Sequence, residues 1–160
     1  MAVYAPLRKL LDANDVEYET IEHREDFRAR TTAADTGTPP VEFAKSVVVS
    51  LDGEYAFAVL PASHFLAPSR LAKAIGADEV TLASEDEMGE LLPECELGAA
   101  PPFGTLFGLP TYVSSSLAED ERITFNAGTH RDAVRMTFAD FERLEKPRIE
   151  QLSRHEEERP

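Results

Sequence analysis

Tryptophan is absent from this chain of 160 residues, cysteine occurs once and lysine only four times, at positions 9, 45, 73 and 146. The lone Cys95 excludes an internal disulfide and suits a reducing cytoplasm. It also leaves no cluster of Cys and His at the short spacing of a structural zinc site, so no metal and no cofactor is expected. No apolar run reaches the length of a membrane span. Met1–Asp15 lacks the apolar core and small-residue cleavage site of a signal peptide. The expectation is a cytoplasmic protein with no membrane partner. No Gly-Lys-Ser/Thr follows a glycine loop, which excludes a phosphate P-loop, and no Ser-x-Gly elbow or nucleophile triad stands out.

Basic charge is scarce as well: 16 Lys and Arg face 30 Asp and Glu, for a net charge of −14. This excludes a broad electrostatic grip on nucleic acid, where each neutralised phosphate needs a cation. Asp78 to Glu96 holds eight acidic residues and no basic one. It reads as a solvated acidic face, and an acidic excess is also what adaptation to a salty cytoplasm would produce. Any nucleic-acid partner has to be held locally, over a small arginine-rich patch, or weakly.

What is present is ordinary for a globular domain: 42% hydrophobic and 29% charged residues, on a chain long enough for a core without staples. Tyr4–Asn14 predicts a helix with Leu7, Leu10 and Leu11 on one face, and Val16–Ile21 alternates like a half-buried strand. Thr32 is placed as the cap of a short helix stopping at Gly37. Ser46–Leu51 and Glu54–Leu60 flank Asp52-Gly53, a two-residue hairpin signal. Pro68–Ile75 with Gly76 behind it is a helix and its stop. Ser84-x-x-Glu87 is a capping box, and Thr137 caps a last helix through Phe141 and Leu144. Further short strands are expected at 80–82, 111–114, 122–125 and 133–138. Residues 1–145 read as one domain and 146–160 as a loose polar tail. Strands in pairs between short helices favour α+β, with a mixed or mostly antiparallel sheet.

Three stretches carry chemistry. Lys45 sits directly before Val47-Val48-Val49, where an ammonium is costly. Its stem covers core while the charge reaches water, it guards a sheet edge, or it is a cation at the mouth of an apolar pocket, strengthened by low dielectric. Gly98-Ala99-Ala100-Pro101-Pro102-Phe103-Gly104 is either a surface loop or a stiff bend presenting backbone N–H groups to an oxyanion or a water. Asn126-Ala127-Gly128-Thr129-His130-Arg131 is either a hairpin turn or a site rim, with His130 a weak general-base candidate. Cys95, between Glu94 and Glu96, is disfavoured as a thiolate and reads as structural.

Together and in this order, the stretches resemble the YbaK/prolyl-tRNA-synthetase-associated editing family. The matching features are Ala44-Lys45-Ser46, Gly98-x-x-x-Pro102-x-Gly104, and Asn126-Ala127-Gly128 leading into Val134-Arg135-Met136. Thr32-Ala33 before Gly37 resembles the family's Thr-Ala segment, and the resemblance runs from about Val16 to Leu144. It implies an α+β domain around a mixed, mostly antiparallel, barrel-like sheet with surrounding short helices. It also implies a stand-alone, trans-editing aminoacyl-tRNA deacylase that removes a small wrong amino acid. Lys45, Gly98, Pro102 and Gly104 would be catalytic, and Thr32, Phe103, Asn126, Gly128, Thr129 and His130 would bind substrate. No side-chain nucleophile or cofactor is implied, since the terminal ribose hydroxyl and ordered water assist. The implied partners are the aminoacyl-tRNA acceptor end, in a weak local contact, and an aminoacyl-tRNA synthetase that delivers it. A silent binding or regulatory module that keeps the pocket is the competing reading, and hydrolysis of a small non-tRNA ester a third.

Overall fold

The Asp52-Gly53 turn sets the first register. Both residues take positive φ, 52° and 95°, as a type I′ turn requires. In the computed structural model, which describes residues 3–156, β2 (Ala44–Leu51) and β3 (Glu54–Pro61) pair across it from Leu51↔Glu54 to Ala44↔Pro61. β5 (Val80–Leu82) adds antiparallel to β2, while β6 (Thr111–Ser114) and then β9 (Arg148–Glu150) add parallel beyond β3. The resulting five-stranded sheet has the order β5-β2-β3-β6-β9. β1 (Tyr18–Glu22), β8 (Asp132–Thr137) and β7 (Arg122–Asn126) form an antiparallel sheet of three. β4 (His64–Leu66) and β10 (Ser153–His155) form a pair.

The fold is thus α+β and mostly antiparallel, but no sheet closes into a barrel. The five-stranded sheet ends on β5 and β9, each only three residues long and too short to carry a ladder round. A parallel bridge between Phe43 and Thr124 brings the large sheet against the three-stranded one instead.

Local chemistry explains most helices. Leu7 and Leu11 bury one face of α1 (Ala5–Ala13), each contributing about 1.5–3 kcal/mol of apolar transfer. α3 (Pro68–Ile75) stops on Gly76 at φ 75°. In α4 (Glu85–Leu91) the Ser84 N–H donates to Glu87 Oε1 at 2.8 Å, and Glu87 N–H donates to Ser84 Oγ at 3.1 Å. Thr137 Oγ1 accepts the Asp140 N–H and starts α5 (Phe138–Glu145). α2 (Ala29–Asp35) departs from expectation: Thr32 lies inside it, fully buried, with its hydroxyl donating to Arg28 O. The helix opens earlier because Asp26 accepts the Arg28 N–H at 2.7 Å.

The largest cluster packs α1 and α5 against the three-stranded sheet through Leu7, Phe125, Val134 and Phe141, with Phe103 between them. A second lies where β2 and β3 meet α3. The segment after Glu145 is not loose through residue 156. Its β9 and β10 each join a sheet, and Leu152 between them is fully buried. Residues 157–160 of the expected tail lie outside the described residues. Among the described residues no helix is long and apolar enough to cross a membrane.

Candidate functional site

Where the start of β2 meets the end of β7 and the loop after α4, the chain leaves a cavity of about 230 Å³. β2 supplies Ala44, Lys45 and Ser46 to its wall, β7 supplies Asn126, and the loop supplies Gly98 and Ala100. Of the residues singled out from sequence, Lys45, Gly98 and Asn126 therefore meet in one place.

Several of their polar groups lack partners among the described residues. Lys45 is half-buried with no hydrogen-bond or ion-pair partner among the described residues. Burial, and secondly the positive charge of Arg30, push its pKa below the ordinary lysine value. Ser46 Oγ and Asn126 Oδ1 are buried and likewise unpartnered. The N–H groups of Gly98 and Ala100 make no backbone or side-chain hydrogen bond among the described residues. Buried polar groups are nearly always satisfied, so the unpaired Ser46 Oγ and Asn126 Oδ1 along one cavity point to a ligand or ordered water that completes them.

The loop is held in place by the turn opposite. Gly128 N–H donates to Ala99 O, and Gly128 O accepts the Glu96 N–H, both at 2.8 Å. Gly128 takes φ 109°, and a Cβ there would lie 2.9 Å from Tyr4 Cβ. Thr129 Oγ1 donates to Asp132 Oδ2 and accepts the N–H groups of Arg131 and Asp132, closing the turn on itself. His130 is 4% exposed; its N–H donates to Glu96 Oε1, and Nε2 meets Leu97 O at 2.6 Å. Its ring lies under Gly98, 3.7 Å from where a Cβ would stand. His130 thus buttresses the loop and is not placed to move a proton inside the cavity.

Other expected residues stand elsewhere. Phe103 is fully buried in an aromatic cluster, 5.9 Å from Phe125 and 5.2 Å from Phe141 between ring centroids. Pro102 is buried beside it. Gly104 N–H donates to Thr111 Oγ1, and a Cβ at Gly104 would fall 2.6 Å from that oxygen and 2.8 Å from Leu109 O. Thr32 lies within α2. None of these four, nor Gly128 or Thr129, lines the cavity. They form the frame that shapes it. Cys95 is no nucleophile at neutral pH, because burial and then Glu94 push its thiol up to about 11.

Sequence reasoning missed Phe27 and Ala100. Phe27 lies at the cavity wall, 73% exposed, with its ring edge-on to His130 at 4.6 Å. An aromatic isolated among charges, in Glu25-Asp26-Phe27-Arg28, was the available signal, since burial alone would not leave it there. No group of His, Cys, Asp and Glu among the described residues is arranged to hold a metal ion.

The fold recurs in solved structures. A proposed trans-editing enzyme for prolyl-tRNA synthetase superposes with a TM-score of 0.79 at 20% identity, covering 96% of this chain and 99% of that one. A hypothetical protein superposes with a TM-score of 0.83 at 16% identity, covering 93% and 99%. A proposed signal-transduction protein from Marinobacter aquaeolei VT8 matches at 0.75 and 16% identity, over 95% of this chain but 31% of its own length. No curated protein matches the sequence. The sequence profile of the aminoacyl-tRNA editing domain matches residues 23–144, around every wall of the cavity, and the chain belongs to that family.

Proposed function

We propose that this protein is a trans-editing deacylase, hydrolysing the ester that joins a wrong, small amino acid to the 3′ end of a tRNA. One observation carries the reading: an unpaired, half-buried ammonium and two unpaired loop amides share a cavity of about 230 Å³. That volume suits a small aminoacyl group. The need for such a sieve is physical, because one methylene in an apolar pocket is worth only about 1–3 kcal/mol, so charging enzymes leak similar amino acids.

In this reading Lys45 anchors the aminoacyl end through phosphate or carbonyl. Water adds to the ester carbonyl carbon, and the N–H groups of Gly98 and Ala100 receive the developing oxyanion. Loss of one such donor typically costs about 10²–10³ in rate. The unpaired Ser46 hydroxyl and Asn126 amide orient the attacking water or the ribose. The C–O bond to the ribose then breaks, and the ribose oxygen leaves with a proton. No side-chain nucleophile is required, which agrees with the raised thiol of Cys95. Phe27, with its ring exposed at the cavity wall, gives the terminal base a surface to stack on.

Incubation with a panel of Ala-, Ser-, Cys- and Pro-tRNAs, wild type beside Lys45→Ala, tests the proposal. The expected result is release of one small amino acid by the wild type and at least a hundredfold loss in the variant. No turnover across the panel, with Lys45→Ala behaving identically, leaves the binding-module reading in its place; equal release by both proteins keeps a deacylase but overturns the role given to Lys45.

A further inference from the structure

Lys45 and Ala29 belong to two cavities at once. Besides the site itself they line a second, wider cavity of about 420 Å³, whose wall also includes Arg28, Arg30 and Glu156. Three cations thus stand around one cavity in a chain of net charge −14. Their neutralisation is incomplete. The Arg28 Nε is 3.6 Å from Asp26 Oδ1, with its side chain 80% exposed. Arg30 pairs with Glu156 and keeps half its side chain in solvent. Lys45 has no partner among the described residues, and the charge of Arg30 bears on it directly. Like charges sharing one cavity wall, with a single carboxylate that pairs with Arg30 alone, favour a further anion or a stronger one.

Glu156 indicates what kind. Its backbone N–H donates to Ser63 O at 3.0 Å, which fixes the residue just beyond β10, and its carboxylate meets the Arg30 guanidinium on the cavity wall. A carboxylate there occupies the place of an oxyanion. The planar guanidinium fork matches phosphate as well as it matches carboxylate. A ligand in this cavity is also continuous, past Lys45 and Ala29, with one in the site.

We infer that the cavity walled by Arg28, Arg30 and Lys45 is a phosphodiester subsite for the single-stranded 3′ end of an RNA, and that Glu156 is its built-in competitor, displaced from Arg30 when the phosphate arrives. The inference rests on the editing reading, which supplies a single-stranded end reaching into the adjoining cavity. It goes beyond that reading by assigning the phosphate contacts and a self-competing residue.

The test uses the full chain with Glu156→Gln, Arg30→Gln and Arg30→Lys. An uncharged acceptor-stem RNA with a single-stranded 3′ end is titrated by fluorescence anisotropy over a salt series, and thermal unfolding checks that each variant folds. Glu156→Gln is expected to tighten Kd by about threefold or more, and Arg30→Gln to weaken it by about tenfold. Arg30→Gln should also flatten the log–log salt slope by about 0.7, the value for one phosphate contact on a single strand, with Arg30→Lys recovering part of the loss. Folded variants that leave Kd and slope unmoved, or that shift Kd in the same direction, overturn the subsite. So does competition by inorganic phosphate that Arg30→Gln abolishes while RNA binding is unaffected, because the cavity is then an ion site. RNA binding that follows this pattern without any deacylation removes the editing reading and keeps the subsite; deacylation without the pattern does the reverse.

Discussion

A lysine half-buried with no counter-ion is a cost the fold carries. Lys45 sits in a valine-rich strand, opposite Leu60 in the β2–β3 ladder, and burial lowers its pKa. The sign of the linkage follows. At neutral pH the group is charged in the unfolded chain, and the folded state bears the penalty of keeping it charged or of losing the proton. As pH rises through the lowered folded pKa toward the unfolded value, near 10.4, the penalty shrinks and then vanishes. Lys45→Met keeps the length and apolar stem while removing the charge. It is expected to unfold at a higher temperature than wild type at pH 7, with the advantage narrowing as the scans move to alkaline pH, while deacylation is lost. A residue whose removal stabilises the protein and silences it is kept for function. A lower Tm for Lys45→Met at pH 7 would instead make the lysine a structural member of the strand.

At the scale of elements, one helix end holds the loop that supplies the amides. Glu145, the last residue of α5, is 5% exposed. It accepts the Thr105 N–H at 3.1 Å, the Thr105 hydroxyl at 2.6 Å and the Thr111 hydroxyl at 2.5 Å. Thr111 Oγ1 in turn accepts the Gly104 N–H at 2.9 Å. Burial raises the Glu145 pKa, and the threonine bonds act against that rise. Glu145→Ala strands the buried Thr111 hydroxyl and releases the exposed Thr105, so we expect a loss of about 1–3 kcal/mol in urea unfolding, with deacylation falling in parallel as the Gly98–Gly104 bend loosens. Unchanged stability would show that water replaces the carboxylate freely. Glu145 carries no signal in the sequence, since its partners lie 34 and 40 residues away. The legible parts were those fixed by neighbours in the chain: the Asp52-Gly53 hairpin, the Ser84–Glu87 box, the Thr137 cap and the Gly76 stop. Thr32 misled because threonine suits both a cap and a helix interior when its hydroxyl bonds back to the fourth carbonyl before it. β9 and β10 were illegible because three-residue strands with polar faces form only against partners already in place. The same division runs through the site. Lys45, Gly98 and Asn126 reach the cavity, while Pro102, Phe103 and Gly104, from the same stretch as Gly98, turn into the core. A linear motif does not distinguish the residues that line a cavity from those that frame it.

Over the whole molecule the charge of −14 sets how an RNA can be met. The net field repels a polyanion, and screening confines that repulsion to about 10 Å at 0.1 M salt. Attraction must come from the few cations at the double cavity, namely Arg28, Arg30 and Lys45. Three contacts to a single strand predict that log Kobs falls against log salt with a slope of about −2 at most. A protein with a broad basic face would show several times that. At the low-salt end the curve should flatten further, because there the repulsion between the acidic body and the RNA is least screened and offsets the gain at the contacts. The expected binding isotherms are therefore weak and only shallowly dependent on salt, which suits delivery of the tRNA end by a synthetase rather than capture of free tRNA. Anisotropy titrations of an acceptor-stem RNA from low to high salt measure this directly. A slope steeper than about −5 would require phosphate contacts well beyond these three cations, and the picture of a locally held 3′ end would then give way to one in which the body of the tRNA is gripped as well.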